Sequence, residues 1–169
     1  MKRIGLLSDT HGYLDDQILD HFSNCDEIWH AGDIGSTAII DRLEAFKPCR
    51  MVFGNIDSPE IRRRTPEDLH FELEGFNVWI THIGGAPPRY NGLVSKRLKS
   101  NPPDLFVCGH SHILRVIRDP ALNNMLYINP GACGREGFHR VRTVLRFNLH
   151  EGLISQMEVV ELGKRGAVI

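Results

Sequence analysis

The sequence predicts an α/β fold of two packed sheets with helices outside them. Three features predict it: apolar runs of strand length, helical periodicity between the first of these runs, and a short polar motif at the end of each. The runs cover residues 4–7, 27–29, 51–53, 78–80 and 105–108. With them stand S-D-T-H-G, H-A-G-D, G-N-I-D, W-I-T-H and C-G-H-S-H, in that order. Ligand-bearing side chains collected at strand ends are where α/β sheets place their sites.

After the first strand, Leu14, Ile18, Leu19 and Phe22 recur at helical spacing over 14–22. After the second, Ser36 or Thr37 caps a helix whose apolar face holds Ile39, Ile40, Leu43 and Phe46, ended by Lys47-Pro48. Two successive strand–helix–strand units predict parallel pairing with right-handed crossovers. Residues 69–73 and 77–81 then read as a hairpin around Glu74-Gly75-Phe76, and 90–100 as a helix stopped by Asn101-Pro102-Pro103. Strands follow at 114–118, 125–129, 142–148 and 153–162, the last two an antiparallel pair across His150-Glu151-Gly152. A parallel part thus continues into a meander.

A length of 169 residues predicts one domain, 1–169. With 41% hydrophobic and 24% charged residues, a disordered chain is excluded. A net charge of −1 disfavours a protein that grips nucleic acid by neutralising phosphates. No apolar stretch has the length of a signal peptide core or a membrane span, so no membrane partner is expected. Cys25, Cys49, Cys108 and Cys133 contain no C-x-x-C pair, which argues against a zinc knuckle and a disulfide framework alike. A reduced, cytoplasmic protein is the expectation.

The motifs carry the chemistry. Asp9 and His11 stand two apart after a strand, where period-2 geometry turns both toward one cation. A carboxylate with an imidazole suits manganese, iron or zinc better than calcium. Asp33 has two oxygens and can bridge two metals, whereas Asn55 offers a neutral carbonyl oxygen. His82 ends its strand, and His110 and His112 repeat the two-residue spacing.

In order, D-x-H, G-D, G-N, H and G-H-x-H are matched by Asp9-Thr10-His11, Gly32-Asp33, Gly54-Asn55, His82 and Gly109-His110-Ser111-His112. The chain therefore resembles the calcineurin-like metallophosphoesterase superfamily, in particular its small single-domain bacterial and archaeal phosphodiesterases. Tyr127-Ile128-Asn129-Pro130-Gly131 resembles a further element of those small members. The resemblance implies two mixed β-sheets packed as a sandwich with flanking helices, in four layers. It also implies two divalent ions, one held by Asp9, His11, Asp33 and His112, the other by Asp33, Asn55, His82 and His110. Asp33 would bridge them, and Asp33, Asn55 and His82 would stand nearest the reaction. Manganese is the expected metal, with iron, zinc and nickel compatible.

The implied reaction is phosphodiester hydrolysis of a small or nucleotide-like substrate. Two cations roughly 3.5–4 Å apart convert a shared water to hydroxide and stabilise the phosphoryl charge. Larger family members often carry a histidine after the G-N asparagine as leaving-group acid; here that place is Ile56. The departure predicts a preference for leaving groups that depart as anions. Asp57, Arg89 and Asn129 are candidates for substrate contact or for orienting a ligand.

Plainer readings hold elsewhere. His30 is expected to pack at a strand end, and His139, with Arg135, Arg140 and Arg142, to lie in a solvated loop and strand edge. Arg62-Arg63-Arg64 reads as a solvated charged face. Small members of the family often associate, so a homo-oligomer is admitted. The competing functions are a non-catalytic metal-binding scaffold for a protein partner, and a nuclease or phosphomonoesterase using the same site.

Overall fold

Strand alternation and helix caps account for most of what the computed structural model shows over the residues it describes, 1–166. The first elements are β1 (Lys2–Leu7), α1 (Asp16–Phe22), β2 (Glu27–His30), α2 (Thr37–Phe46), β3 (Cys49–Met51), α3 (Pro59–Arg64), β4 (Asp68–Leu73) and β5 (Phe76–Thr81). They are followed by β6 (Gly85–Ala86), β7 (Arg89–Tyr90), α4 (Gly92–Ser100), β8 (Leu105–Val107) and β9 (Leu114–Asp119). A 3₁₀ turn at Pro120–Leu122 leads to β10 (Met125–Pro130), β11 (Val141–His150) and β12 (Leu153–Lys164).

Each α-helix begins on a side chain that accepts from its first turn. Asp15 takes the N–H of Ile18, Ser36 that of Ala38, Ser58 that of Ile61 and Asn91 that of Val94. One five-stranded sheet runs β12-β11-β1-β2-β3, with β1, β2 and β3 parallel. The other runs β4-β5-β8-β10-β9, with β5, β8 and β10 parallel between antiparallel edges.

Alternation sorts the side chains into three cores. Ile4, Leu6 and Trp29 of the first sheet meet Val78, Ile80, Leu105, Val107 and Ile128 of the second, forming the seam of the sandwich. Leu7 and Ile28 face outward against Ile18 and Phe22 of α1 and Ile40 and Leu43 of α2. Trp79, Phe106 and Tyr127 face outward on the second sheet against Val94 and Leu98 of α4. The order is helices, sheet, sheet, helix: the expected four layers.

Several boundaries differ from the sequence reading. Strand β3 occupies Cys49–Met51, before the predicted 51–53, because Ile28, Trp29 and His30 pair with Cys49, Arg50 and Met51. Phe76 belongs to β5, leaving a two-residue turn of Glu74 and Gly75, both at positive φ. Helix α4 starts at Gly92, because Asn91 caps it and Tyr90 pairs with Gly85 in the small β6–β7 hairpin. The arginine run at 62–64 is the last turn of α3, which the sequence reading left without a helix. Arg142 is buried, its Nε donating to Cys133 O and its Nη2 lying 2.9 Å from Asp15. The solvated reading fails there.

Candidate metal site

Parallel strands end on one edge of each sheet, and the loops leaving those ends carry the motifs. Asp9 and His11 follow β1, Asp33 follows β2 and Asn55 follows β3. His82 follows β5, and His110 and His112 follow β8. Backbone bonds knit the loops together: Asp9 N donates to Gly32 O, His11 N to Asp33 O, and Gly109 N to His82 O. All seven side chains meet where the two sheets share an end.

The backbone at these residues is not the extended one expected from two-residue spacing. Asp9 (φ 56°), His11 (46°), Asp33 (55°), His110 (67°) and His112 (59°) all lie in the left-handed region. Asp and His visit it more readily than most residues, and such positions cost roughly 1–3 kcal/mol each when strained. Convergence here comes from tight turns. Close approach also dictates two of the motif glycines. A Cβ at Gly54 would overlap Asp33 Oδ1, and one at Gly109 would overlap Ser8 Oγ and Asp9 Oδ2.

Two clusters result, each with ligand atoms within 4.8 Å of one another: Asp9, His11 and His112, then Asp33, His82 and His110. Asp9 Oδ2 accepts from Ser8 Oγ at 2.5 Å and from His110 N at 3.1 Å. Asp9 Oδ1 faces His112 Nε2 at 3.1 Å and His11 Nε2 at 3.8 Å. Asp33 Oδ1 accepts from Ile56 N at 3.1 Å. Its Oδ2 lies 3.4 Å from His11 Nε2 and 3.2 Å from His82 Nε2, between the clusters. Asn55 joins the second cluster through Oδ1, which accepts from His110 Nδ1 at 3.0 Å.

The imidazoles are presented by fixed partners. His82 Nδ1 donates to Ala31 O at 2.7 Å, which turns Nε2 toward Asp33. His139 Nε2 donates to Gly134 O at 2.9 Å, so its Nδ1 accepts from His112 Nδ1 at 3.2 Å. His112 then turns its Nε2 toward Asp9 Oδ1 in the cluster. His11 Nδ1 stands 3.7 Å from Glu136 Oε2.

The charges are tightly coupled. Burial alone would raise the Asp9 carboxyl, but His11, His112, His82 and the Ser8 hydroxyl hold it well below the usual carboxylate range. Burial likewise opposes Asp33, yet His82 and the Ile56 N–H keep it low. Asp9 lifts His11 above the ordinary imidazole value. His82 is also lifted, since Asp33 and Asp9 outweigh its burial. Burial pushes His110 down.

Divalent cations fit this set. Asp9 Oδ1, His11 Nε2 and His82 Nε2 are buried without a hydrogen-bond partner, and all point into the shared space. Most buried polar atoms in proteins are paired, and mixed carboxylate, imidazole and amide donors suit first-row divalent ions.

The remaining candidates divide. Asp57 is buried and accepts from Ile34 N, Gly35 N and Gly54 N, tying the Asp33 loop to the Asn55 loop. Its two oxygens are taken up by these three N–H groups. Asn129 Nδ2 donates to Gly109 O and Ser111 Oγ, holding the G-H-S-H turn by its backbone and hydroxyl. Arg89 stands exposed on β7 and is not among the residues lining the pocket beside Asn55 and His82. His30 packs as expected: Gly32 N donates to its Nδ1 and its Nε2 meets Thr10 Oγ1, while burial pushes it down to about 4. His139 is the residue the sequence reading missed, since no motif marks it. Ser8 was likewise given no role, although it stands beside Asp9 in S-D-T-H.

A pocket of about 410 Å³ adjoins Asn55 and His82. A larger one, about 560 Å³, lies between β4 and the end of α4, remote from the seven residues. Chemistry, not size, marks the first as the site.

Comparison with known proteins places the chain in a family. Residues 1–152 match the Calcineurin-like phosphoesterase superfamily domain. A Methanothermobacter thermautotrophicus protein described as "Probable metallophosphoesterase" is 33% identical over 135 residues, 76% of each chain. Among solved structures, an archaeal phosphodiesterase superposes with a TM-score of 0.74 at 22% identity, over 95% of this chain and 99% of that one. Vps29 from Entamoeba histolytica, complexed with zinc, does so with a TM-score of 0.71 at 14% identity, over 94% and 98%. At these identities the two structures show the fold. The chain belongs to the calcineurin-like phosphoesterase superfamily, whose chemistry rests on divalent metals.

Proposed function

We propose that the chain works as one cytoplasmic domain and hydrolyses a small phosphodiester with two divalent ions, manganese first among them. The observation that carries this reading is Asp33 Oδ2, set between His11 Nε2 and His82 Nε2 at 3.4 and 3.2 Å. In that position one carboxylate serves both clusters. Asp9, His11, Asp33 and His112 would hold one ion; Asp33, Asn55, His82 and His110 would hold the other.

Bound ions of this kind supply Lewis acidity, activating water and neutralising phosphoryl charge. The chain's own residues do the positioning. Ala31 O fixes the His82 ring, His139 fixes His112, and Ser8 with His110 N–H turns Asp9 so that Oδ1 faces inward. Ile56, half-exposed beside Asn55, has no proton to give a leaving group. Esters whose alcohol departs readily as an anion are therefore the better substrates.

A non-catalytic scaffold remains the competing reading, supported by fold likeness to Vps29 at 14% identity. Seven inward-facing donors favour the enzyme. The test is hydrolysis of bis-p-nitrophenyl phosphate and p-nitrophenyl phosphate by metal-stripped protein refilled with manganese, with metal content measured alongside. Turnover at about two ions per chain, lost in Asp33→Ala and faster on the diester, is the expected result. Ions bound without turnover of either ester would move the assignment to the scaffold.

A further inference from the structure

Exposed large apolar side chains are ordinary when scattered. Here four of them, Ile83, Leu93, Ile113 and Phe138, stand beside the candidate ligands. Ile83 follows His82 in the chain, and it lines the 410 Å³ pocket together with Phe53 and Leu93, the last 77% exposed. Beside the other cluster, Ile113 follows His112 and is exposed. Phe138, fully exposed, sits between Gly137 and His139. Both flanking residues press on the His112 ring: a Cβ at Gly137 would overlap His112 Nδ1, and His139 Nδ1 is 3.2 Å from it. Each cluster therefore has an apolar flank of its own.

The cations in the pocket are already engaged. Arg62 lies over the Phe53 ring and donates to Asp57 O, Gly54 O and Asn55 O. Arg97 lies over Trp79 and donates to Asp68 and His70. Both guanidinium groups are thus partly committed, which leaves a polyphosphate or a nucleic-acid strand fewer donors in this pocket to grip.

From the two flanks we infer that the substrate is a phosphodiester with two apolar arms, aryl or alkyl, one lying on Ile83 and Leu93 and the other on Ile113 and Phe138. The inference rests on the phosphoesterase reading and deepens it. A monoester fills one flank and leaves the other wet. A diester with ionic or sugar arms leaves both apolar surfaces unpaired.

Binding and turnover test the two layers separately. Manganese-loaded protein is titrated calorimetrically with diphenyl phosphate and dimethyl phosphate. Its kcat/KM is then measured on p-nitrophenyl esters of methyl, phenyl and thymidine 5′-phosphate, which share one leaving group. Diphenyl phosphate is expected to bind about 30-fold more tightly than dimethyl phosphate, as burial of aromatic surface requires. Leu93→Ser and Phe138→Ser, both at exposed positions, should each cut that preference by about 5-fold. Equal affinities, a preference for the thymidine arm, or a preference untouched by both substitutions overturns the arm assignment. So does a flat series accompanied by a concentration-dependent dimer that Phe138→Ser abolishes, because the apolar surface would then belong to a second copy of the chain. Turnover of the methyl ester with flat affinities defeats the arms alone. No turnover of any ester defeats the phosphoesterase reading and the arms with it.

Discussion

His139 hands its Nδ1 lone pair to the Nδ1–H of His112, across 3.2 Å and 27 residues of sequence. The bond fixes the tautomer of a proposed ligand, as partners of metal-bound imidazoles do. His139→Ala should weaken metal binding about 10- to 100-fold with little change in the unfolding midpoint of the metal-free protein. His139→Asn, whose amide oxygen can still accept from His112, should recover part of the loss. Competition with a chromogenic chelator measures both; equal affinities in wild type and His139→Ala would remove His139 from the site.

Asp57 accepts three backbone N–H groups from two loops. Asp57→Ala leaves those donors buried and unpaired, a loss of about 3 kcal/mol. Urea unfolding of the metal-free variant should show it. Because the same bonds hold Asp33 near Asn55, metal content should fall as well. A variant of normal stability and normal metal content would show that the clamp is idle.

The pH dependence of stability should differ between the metal-free and metal-loaded protein. His11 and His82 have raised values in the fold. Their contribution to the metal-free protein is complete below about pH 6.5 and is lost as pH rises through those values. Burial pushes His30 down to about 4 and also lowers His110 and His139. These groups act oppositely, with stability lost as pH falls from about 6.5 toward their folded values. Asp9 and Asp33, both lowered, add stability above about pH 4 that disappears only under acid. Melting temperature of the stripped protein should therefore peak near about pH 6.5 and decline as pH rises above it. Metal competes with the protons on His11 and His82, so the loaded protein should not decline over that range. Parallel curves for the two forms would contradict the assignment of those histidines.

Gly54→Ala and Gly109→Ala place a methyl group on Asp33 and on the Ser8–Asp9 pair. Each should cost about 2 kcal/mol or more and lower metal affinity besides. Gly92, the first residue of α4, has open space where a methyl group would stand, with no atom within 4 Å. Gly92→Ala is the control and should be neutral or slightly stabilising. Denaturant midpoints for the three separate close packing from a general intolerance of alanine.

Local chemistry was legible in the chain. Apolar runs marked β1, β2, β5 and β8, a cap at Ser36 or Thr37 and Lys47-Pro48 bounded α2, and the motif after each strand supplied the candidate ligands. Helix α3 escaped notice because its cap and first residue, Ser58-Pro59, precede a run of arginines that reads as surface. Arg142 looked solvated for the same reason, although Tyr13, Asp15 and Cys133 O enclose its guanidinium. His139 was noticed only as part of a basic loop: its bond to His112 spans 27 residues, and a single histidine there carries no signature of a ligand's partner. The left-handed turns at five of the seven motif residues were also hidden, since Asp and His occupy ordinary backbone elsewhere.

Neither cluster belongs to one sheet. Asp9 and His11 leave the first sheet to meet His112 from the second, while His82 and His110 leave the second to meet Asp33 from the first. An ion at either place is thus a rivet through the seam of the sandwich. Sheets docked one residue out of register would separate the donors by a strand's rise, about 3.3 Å, and the rivet would find no hole. Metal uptake during refolding would then sound as a late signal, silent until the two halves of the chain have found each other.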